Sequence, residues 1–331
     1  MLLSGENQSL AHAEANALLD IYSVYREYST VLTQLMVIEA NGCYREDVFR
    51  EIMSRAGYVQ EAGKIVSISD SFRETLCSIR ENYSGLEINL RISIIQGLSC
   101  YSKDYLRRLV IENTGIRPSH RSEYMVHVIV CGGLVVVGEV IARKPSREYY
   151  CRRPSTRPFF RSTALPVKLA RAMINLARAK RDSILLDPFC GTGSVLVEAA
   201  SMGIRVVGID IDYEMASGSR LNLRHYGLDS LVVLGDSLHP MVSSVDSIVT
   251  DPPYGRAAST FDKSVVDIYR FFIDEYTDIL RPGGYMVFLT PHYLVDYVDK
   301  LLSRNDLIVD SRHYIYVHSG LTRIVYVVYR Y

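Results

Sequence analysis

Tryptophan is absent from the 331 residues, and lysine is scarce, with seven against thirty arginines. The aromatic load falls on 24 tyrosines and nine phenylalanines, and the tyrosines read as core and rim wherever no motif assigns one a role. No two of the six cysteines (Cys43, Cys77, Cys100, Cys131, Cys151, Cys190) are separated by two residues, which excludes a zinc ribbon and a Cys-x-x-Cys redox pair. They are expected to be reduced thiols. His12, His225, His239 and His292 have no ligand spacing, so no metal is expected. No stretch approaches the ~18 uninterrupted apolar residues of a membrane-spanning helix. The N-terminus carries Glu6 and no cationic flank, which makes a poor signal peptide. A cytoplasmic protein without a membrane segment is expected. The 48% hydrophobic and 22% charged residues exclude wholesale disorder, and the length suits about two domains, or three if one is small.

Net charge is also lacking, with 37 basic and 37 acidic residues, but the balance is uneven along the chain. Residues 143–181 hold twelve arginines and lysines against one acid, Glu148. Such a block offers a footprint for phosphates, whose neutralisation releases counterions and supplies most sequence-independent nucleic-acid affinity. Arginine's planar fork also suits phosphates and bases. Arg143, Lys144, Arg147, Arg152, Arg153 and Arg157 are the candidate nucleic-acid-binding residues. Pro145, Pro154, Pro158 and Pro166 favour an extended linker here over a helix.

Before the linker, the pattern alternates short helices (9–20, 45–55, 71–81, 103–113) with strands (30–38, 64–68, 86–95, 124–130, 134–142). Gly132-Gly133 between the last two predicts a tight hairpin. This is α+β packing, helices over a mixed sheet. After a helix over 167–179, strands and helices alternate strictly from Ile184 onward, which means a parallel sheet with crossover helices. Segments 307–316 and 321–329 are two strands that can pair antiparallel at its edge.

The first chemical motif is Asp187-Pro188-Phe189-Cys190-Gly191-Thr192-Gly193-Ser194, between the first strand of the parallel series and its helix. Glycines there let a cofactor approach the backbone. Leu196 stands where a dinucleotide fold wants a third glycine, and no Gly-Lys-Ser follows, so NAD and ATP lose ground. Asp187 is placed to receive a cationic amine. Asp210 ends the next strand, placed for ribose hydroxyls, and Asp236 follows the third, near an adenine amino group. This suits a nucleoside cofactor without phosphates. Cys190 beside the glycines reads as packing.

The most specific motif is Asp251-Pro252-Pro253-Tyr254, after the fourth strand. An exocyclic amine on a planar ring is a poor nucleophile, its lone pair being delocalised. Asp251 and a proline carbonyl are suited to accept its two N–H bonds, aim the lone pair and stabilise the developing cation. Holding nitrogen and methyl about 3 Å apart supplies several kcal/mol more. The prolines stiffen the loop, and Tyr254 offers a stacking face.

At these residues the sequence resembles class I S-adenosylmethionine-dependent methyltransferases, and more narrowly the archaeal tRNA guanosine N2-methyltransferases acting on position ten. Arg157-Pro158-Phe159-Phe160, Leu165-Pro166 and 169–177 look like that family's lead-in, and His318-Ser319-Gly320-Leu321-Thr322-Arg323 resembles its tail signature. The resemblance implies a Rossmann-like methyltransferase domain at 164–331, a basic linker at 144–163, a THUMP domain at 59–143 and a ferredoxin-like domain at 1–58. It implies S-adenosylmethionine as cofactor, held by Thr163, Leu165, Asp187, Pro188, Phe189, Gly191, Gly193, Asp210, Ile211, Asp236, Ser237 and Asp251. Asp251, Pro252, Pro253 and Tyr254 are the implied catalytic residues. tRNA is the implied partner, with its target base flipped out of the stack and the site chosen by distance from the 3′ terminus. One or two methyls on the guanosine 2-amino group are both compatible. So are adenine or cytosine amines of rRNA or DNA, while a silent tRNA-binding protein would be expected to lose Asp251 or the glycine loop. Whether a small activating protein is needed, as in some eukaryotic relatives, is left open.

Overall fold

The structure, a computed structural model, describes the chain except residues 41–44, 96–100, 255–263 and 319. Up to Lys144 the elements are β1 (Leu2–Leu3), α1 (Gln8–Ile21), β2 (Arg26–Leu32), β3 (Leu35–Ala40), α2 (Glu46–Arg55), β4 (Val59–Ser69), α3 (Phe72–Tyr83), β5 (Glu87–Ile95), α4 (Lys103–Thr114), β6 (Arg117–Pro118), β7 (Met125–Cys131) and β8 (Leu134–Arg143). There follow α5 (Ser146–Cys151), α6 (Val167–Leu176), β9 (Ile184–Asp187), α7 (Ser194–Ser201), β10 (Arg205–Asp210), α8 (Tyr213–His225), β11 (Leu231–Leu234), β12 (Val245–Thr250), α9 (Val265–Ile279), β13 (Leu280–Pro291), α10 (Val295–Leu302), β14 (Leu307–His318) and β15 (Leu321–Arg330). Cys43, Cys100, Gly255 and Ser319 lie outside the described residues.

The chain forms two compact units: Met1–Gln8, Val24–Ser54 and Val59–Lys144 in one, Ser9–Ser23, Arg55–Tyr58 and Pro145–Tyr331 in the other. The first carries the mixed sheet, in the order β2-β3-β1-β4-β8-β7-β5-β6. Its parallel pairs are β5 with β6 and β5 with β7, and its other described pairs are antiparallel. Ile79 and Tyr83 of α3 and Val110 of α4 pack with Leu90, Val128 and Val137. The alternate residues Ile129 and Val136 enter a separate cluster with Leu35 and Ile95, as the period of two requires. Gly132 and Gly133 have φ of 56° and 87°, the positive pair of a type I′ hairpin. The strand expected at 30–38 is instead the β2–β3 hairpin, turning at Thr33 with φ 56°.

The second unit contains the seven-stranded sheet, in the order β11-β10-β9-β12-β13-β15-β14. From β11 to β13 all neighbours are parallel, and β15 pairs antiparallel with β13 and with β14. The antiparallel strand is therefore one place in from the edge, which β14 occupies. Tyr269, Phe272 and Tyr276 of α9 pack with Phe288 and Tyr326 into the main core.

This division differs from the boundaries expected at 58/59 and 163/164. A fully buried carboxylate, Glu14 of α1, accepts hydrogen bonds from Gly57 N at 2.7 Å, Tyr58 N at 2.6 Å and Asn175 Nδ2 of α6 at 2.8 Å. Ser9–Ser23 and Arg55–Tyr58 thus belong with α6. Nor is 144–163 an extended linker. Pro145 caps α5, and Pro154 opens a 3₁₀ turn, positions where a missing N–H matters little. Tyr149 of α5 is buried, its hydroxyl donating to Ala56 O at 2.9 Å.

The approach at Gly57 leaves no room for a side chain, since a Cβ there would lie 2.3 Å from the Lys168 carbonyl oxygen. Gly57→Ala must therefore displace backbone. A loss of about 1–3 kcal/mol is expected, read as a lower urea midpoint.

Candidate active site

The strand order reverses at β9, which has β10 on one side and β12 on the other. In an open parallel sheet, the crevice beyond the strand ends at such a point is where ligands bind. A cavity of about 860 Å³ occupies this place. Every residue assigned to cofactor or catalysis from the sequence lines it except Pro188 and Gly193. Pro188 works through its carbonyl oxygen, which accepts from the Ser237 hydroxyl. Gly193 has φ 77°, and a Cβ on it would meet Ser219 Oγ at 2.3 Å, so it lets the loop lie against α8.

The glycine loop is held from three sides. Gly191 N donates to Asp210 Oδ2 at 2.8 Å, and Cys190 N to Ile209 O at 3.0 Å. Buried Asn222 of α8 donates through Nδ2 to Thr192 O and Phe159 O, both at 2.9 Å, and accepts from Phe159 N. The lead-in segment is thereby tied to the loop, and Phe159 lies where a Cβ on Gly218 would fall, 2.1 Å away. Neither Asn222 nor Gly218 stood out in the sequence.

Among the described residues the lining holds five aspartates (Asp187, Asp210, Asp212, Asp236, Asp251) against one guanidinium, Arg323, and no lysine. A phosphate-bearing cofactor would meet repulsion here, and a cationic one attraction. Asp187 is buried and accepts from Thr250 Oγ1 at 2.7 Å and Phe189 N at 3.3 Å. Burial, aided by Asp210 and Asp251, pushes its carboxyl up to about 7 against those two hydrogen bonds. Asp210 is likewise raised by burial, against hydrogen bonds from Asp212 and Gly191.

The Asp187 shift gives stability a direction with pH. A folded-state pKa above the unfolded value of about 3.9 adds stability that is complete below that value and is lost as pH rises through 7. Asp187→Asn, able to keep both acceptor bonds, is expected to unfold at higher urea than the parent at pH 8. The gap should close toward pH 4, and a constant gap would refute the assignment.

Asp251 follows β12, and its Oδ2 accepts from Arg323 Nη1 of β15 at 3.1 Å. The same Nη1 donates to the Tyr254 hydroxyl at 2.8 Å. Asp251 Oδ1 is buried with no hydrogen-bond partner among the described residues. Burial raises the Asp251 carboxyl to about 6 although Arg323 opposes it, and the Tyr254 phenol, buried beside Asp251, is pushed up to about 12. Arg323 belongs to the tail segment noted from sequence, but its partnership with Asp251 was not foreseen. The available signal was a guanidinium beside the apolar run 324–328.

The candidate RNA-binding residues do not all face solvent. Arg157 is buried, donating to Ser194 Oγ at 2.8 Å, and its Nη2 lies 4.0 Å from buried Glu198. Arg152 Nε is 3.3 Å from the same carboxylate. These two are corrected to internal partners of Glu198, because a buried carboxylate draws the nearest cations inward. Arg143 is exposed and paired with Glu61, Arg147 is exposed, Arg153 is half-buried with its guanidinium 3.7 Å from the Tyr150 ring centroid, and Lys144 is half-buried. None of the six lines the cavity. Among the described residues there is no group of three or more His, Cys, Asp or Glu able to hold a metal, and no helix long and apolar enough to cross a membrane.

A family model described as RMKL-like, methyltransferase domain, matches residues 154–324. A DNA methylase model matches 65–219, a range that stops short of Asp251. The tRNA (guanine(10)-N2)-dimethyltransferase of Pyrococcus abyssi is 30% identical over 295 residues, 84% of this chain and 85% of that protein. The enzyme of the same name from Methanocaldococcus jannaschii is 27% identical over 98% of both chains. Among solved structures, TrmN from Thermus thermophilus superposes with a TM-score of 0.61 at 19% identity, covering 100% of this chain and 98% of that one. SMU.472 in complex with SAH gives 0.57 at 14% identity, covering 100% and 97%. These two likenesses concern the fold, an α/β methyltransferase sheet. With the relatives matched across most of its length and the methyltransferase model across more than half, the chain belongs to the tRNA (guanine(10)-N2)-dimethyltransferase family.

Proposed function

We propose that this chain methylates the exocyclic 2-amino group of the guanosine at position ten of tRNA, first to N2-methylguanosine and then to N2,N2-dimethylguanosine. The observation carrying this reading is the cavity-lining carboxylate Asp251, with one oxygen bound by Arg323 and the other buried without a donor. A buried acceptor left unsatisfied is costly, and an N–H of an incoming amine would satisfy it. The two methylations follow from one geometry, since the monomethylated amine keeps one N–H for Oδ1.

The acidic lining fits S-adenosylmethionine, a cationic nucleoside cofactor without phosphates. When bound, that cofactor supplies an electrophilic methyl group on a sulfonium centre. Asp187 would hold its ammonium, Asp210 the ribose hydroxyls and Asp236 the adenine amine, with Gly191 giving the backbone approach. Asp210 already accepts from Gly191 N and Asp212 N, and each oxygen keeps a second lone pair. Asp251 accepts one N–H of the base and a carbonyl of Pro252 or Pro253 the other, turning the lone pair toward the methyl, while Tyr254 stacks on the ring. In this reading the first unit serves as the THUMP-bearing part that engages tRNA. The exposed Arg143 and Arg147, with Arg153 and Lys144, contribute phosphate contacts.

The test is mass-spectrometric nucleoside analysis of an unmodified tRNA transcript incubated with the purified chain and S-adenosylmethionine, with Asp251→Ala as control. N2-methyl and N2,N2-dimethylguanosine, absent with the variant, are the expected products, and their formation by the chain alone would show that no activating protein is required. Cofactor binding without tRNA methylation would refute the chain as an autonomous tRNA enzyme.

A further inference from the structure

Arg323 has no part in the Asp-Pro-Pro-Tyr motif, yet among the described residues its guanidinium is the one cation of arginine or lysine in the lining. β15 carries it between two hydrogen-bonded neighbours, with Arg323 opposite Pro291 of β13 and Ile315 of β14, so its backbone is fixed from both sides. The side chain is 13% exposed. One nitrogen, Nη1, spans the Asp251 carboxylate and the Tyr254 hydroxyl, while Nε is buried without an acceptor.

We propose that Arg323 is the positioning residue of the transfer site: by occupying Asp251 Oδ2 it leaves Oδ1 as the one oxygen for the target amine, keeps the carboxylate ionised, and ties the Tyr254 ring to the same anchor. This rests on the amine-methylation reading above. An ionised carboxylate accepts at both oxygens, whereas a protonated one presents a donor on one of them. Only the ionised form serves an N–H reliably.

Among the described residues, the groups interacting electrostatically with Asp251 come from four places: Asp187 at the end of β9, Tyr254 in its own loop, Tyr269 of α9 and Arg323 of β15. The first three are acids or phenols that disfavour ionisation or leave it unaided. Arg323 is the only cation among them. An opposite charge at this range holds a carboxyl down by about one to three pH units. Removing it should move Asp251 upward by that amount, into the working pH range.

The experiment uses the full chain with Arg323→Gln, Arg323→Ala and Arg323→Lys, each checked for a cooperative thermal transition. The carboxyl titration of Asp251 is read without cofactor or substrate, as the infrared difference between each protein and the same protein carrying Asp251→Asn. The midpoint should rise by about one unit or more in the Gln and Ala variants and stay close to the parent in the Lys variant. The acid limb of the kcat profile should move with it, with KM for S-adenosylmethionine changed less than about twofold. An unmoved midpoint in folded Arg323→Gln, or a fall in kcat by one factor at every pH, would overturn the proposal. If Arg323→Ala does not fold, the neutral, polar Gln variant decides alone. A shifted midpoint in a chain that methylates no tRNA would overturn the functional reading instead, leaving the coupling of Arg323 to Asp251 established.

Discussion

Asp251→Asn is expected to lower kcat for tRNA methylation by about 10²–10³-fold or more, the loss seen when one preorganised hydrogen-bonding group is removed from a charge-developing centre. The substitution conserves size. It changes what faces the base. Arg323 donates to Oδ2 of the carboxylate, so the amide must turn its own oxygen toward Arg323. That leaves the amide NH₂ where an acceptor was, opposite the N–H bonds of the target amine. Donor would meet donor, and the lone pair would lose its aim. S-adenosylmethionine affinity should fall only slightly, because the remaining carboxylates of the cavity are untouched. In the parent chain, the rate should decline as pH falls through about 6, where the Asp251 carboxyl takes a proton. Initial rates from nucleoside mass spectrometry across pH 5–8 check both statements; a loss below tenfold, or an acid limb retained in the variant, would remove Asp251 from the reaction.

Glu198→Ala is expected to give the largest loss of stability, about 3–5 kcal/mol, as a lower urea midpoint. Glu198 is fully buried on α7. Arg171 Nε reaches it at 2.7 Å and Arg152 Nε at 3.3 Å, with Arg157 Nη2 at 4.0 Å. Three guanidiniums thus share one carboxylate, and the Nη2 atoms of Arg152 and Arg157 are already buried without partners. Without Glu198, buried positive charge would stand uncompensated. Arg171 keeps its bonds to Tyr149 and Ser201, both at 3.0 Å, and so cannot swing out to water freely. The damage should also reach the cavity, because Arg157 holds Ser194, the first residue of α7 after the glycine loop. A measurable fall in cofactor affinity is expected alongside the unfolding change. Adding Arg171→Met should restore part of the stability, since the excess charge is the cause. No restoration would mean that shape had been lost instead.

What was legible in the sequence was what neighbours in sequence determine. The hydrophobic periods placed the parallel strands and their helices, and Asp187, Asp210, Asp236 and Asp251 lie at or just beyond strand ends because alternation itself puts them there. Gly132-Gly133 announced its hairpin, since glycine alone tolerates both positive φ angles cheaply. The β2–β3 turn was missed because Leu32-Thr33-Gln34-Leu35 contains none of the usual turn residues, and Thr33 is forced to φ 56° by the strands it joins. The pairings that decide the site were invisible for another reason. Glu14 and Asn175 are 161 residues apart, and Asp251 and Arg323 are 72 apart. No local pattern records which buried charge will meet which. The basic block misled in the same way, because Arg152 and Arg157 look like solvent-facing cations until Glu198 is known to lie beneath them.

The insertion of β15 between β13 and β14 also sets an order of events. β14 precedes β15 in sequence but has no pairing of its own with β13; it is joined to the sheet through β15 alone. The last two strands must therefore dock as a preformed hairpin or be threaded one after the other, and the hairpin is the more local route. Until it docks, Arg323 is absent and Asp251 lacks that cation beside it. The parallel strands, the glycine loop and the carboxylates can all be in place in a molecule that is competent to hold a cofactor and still inert toward an amine. Catalytic competence would then lag behind ligand competence during refolding, by the time the closing hairpin takes to seat.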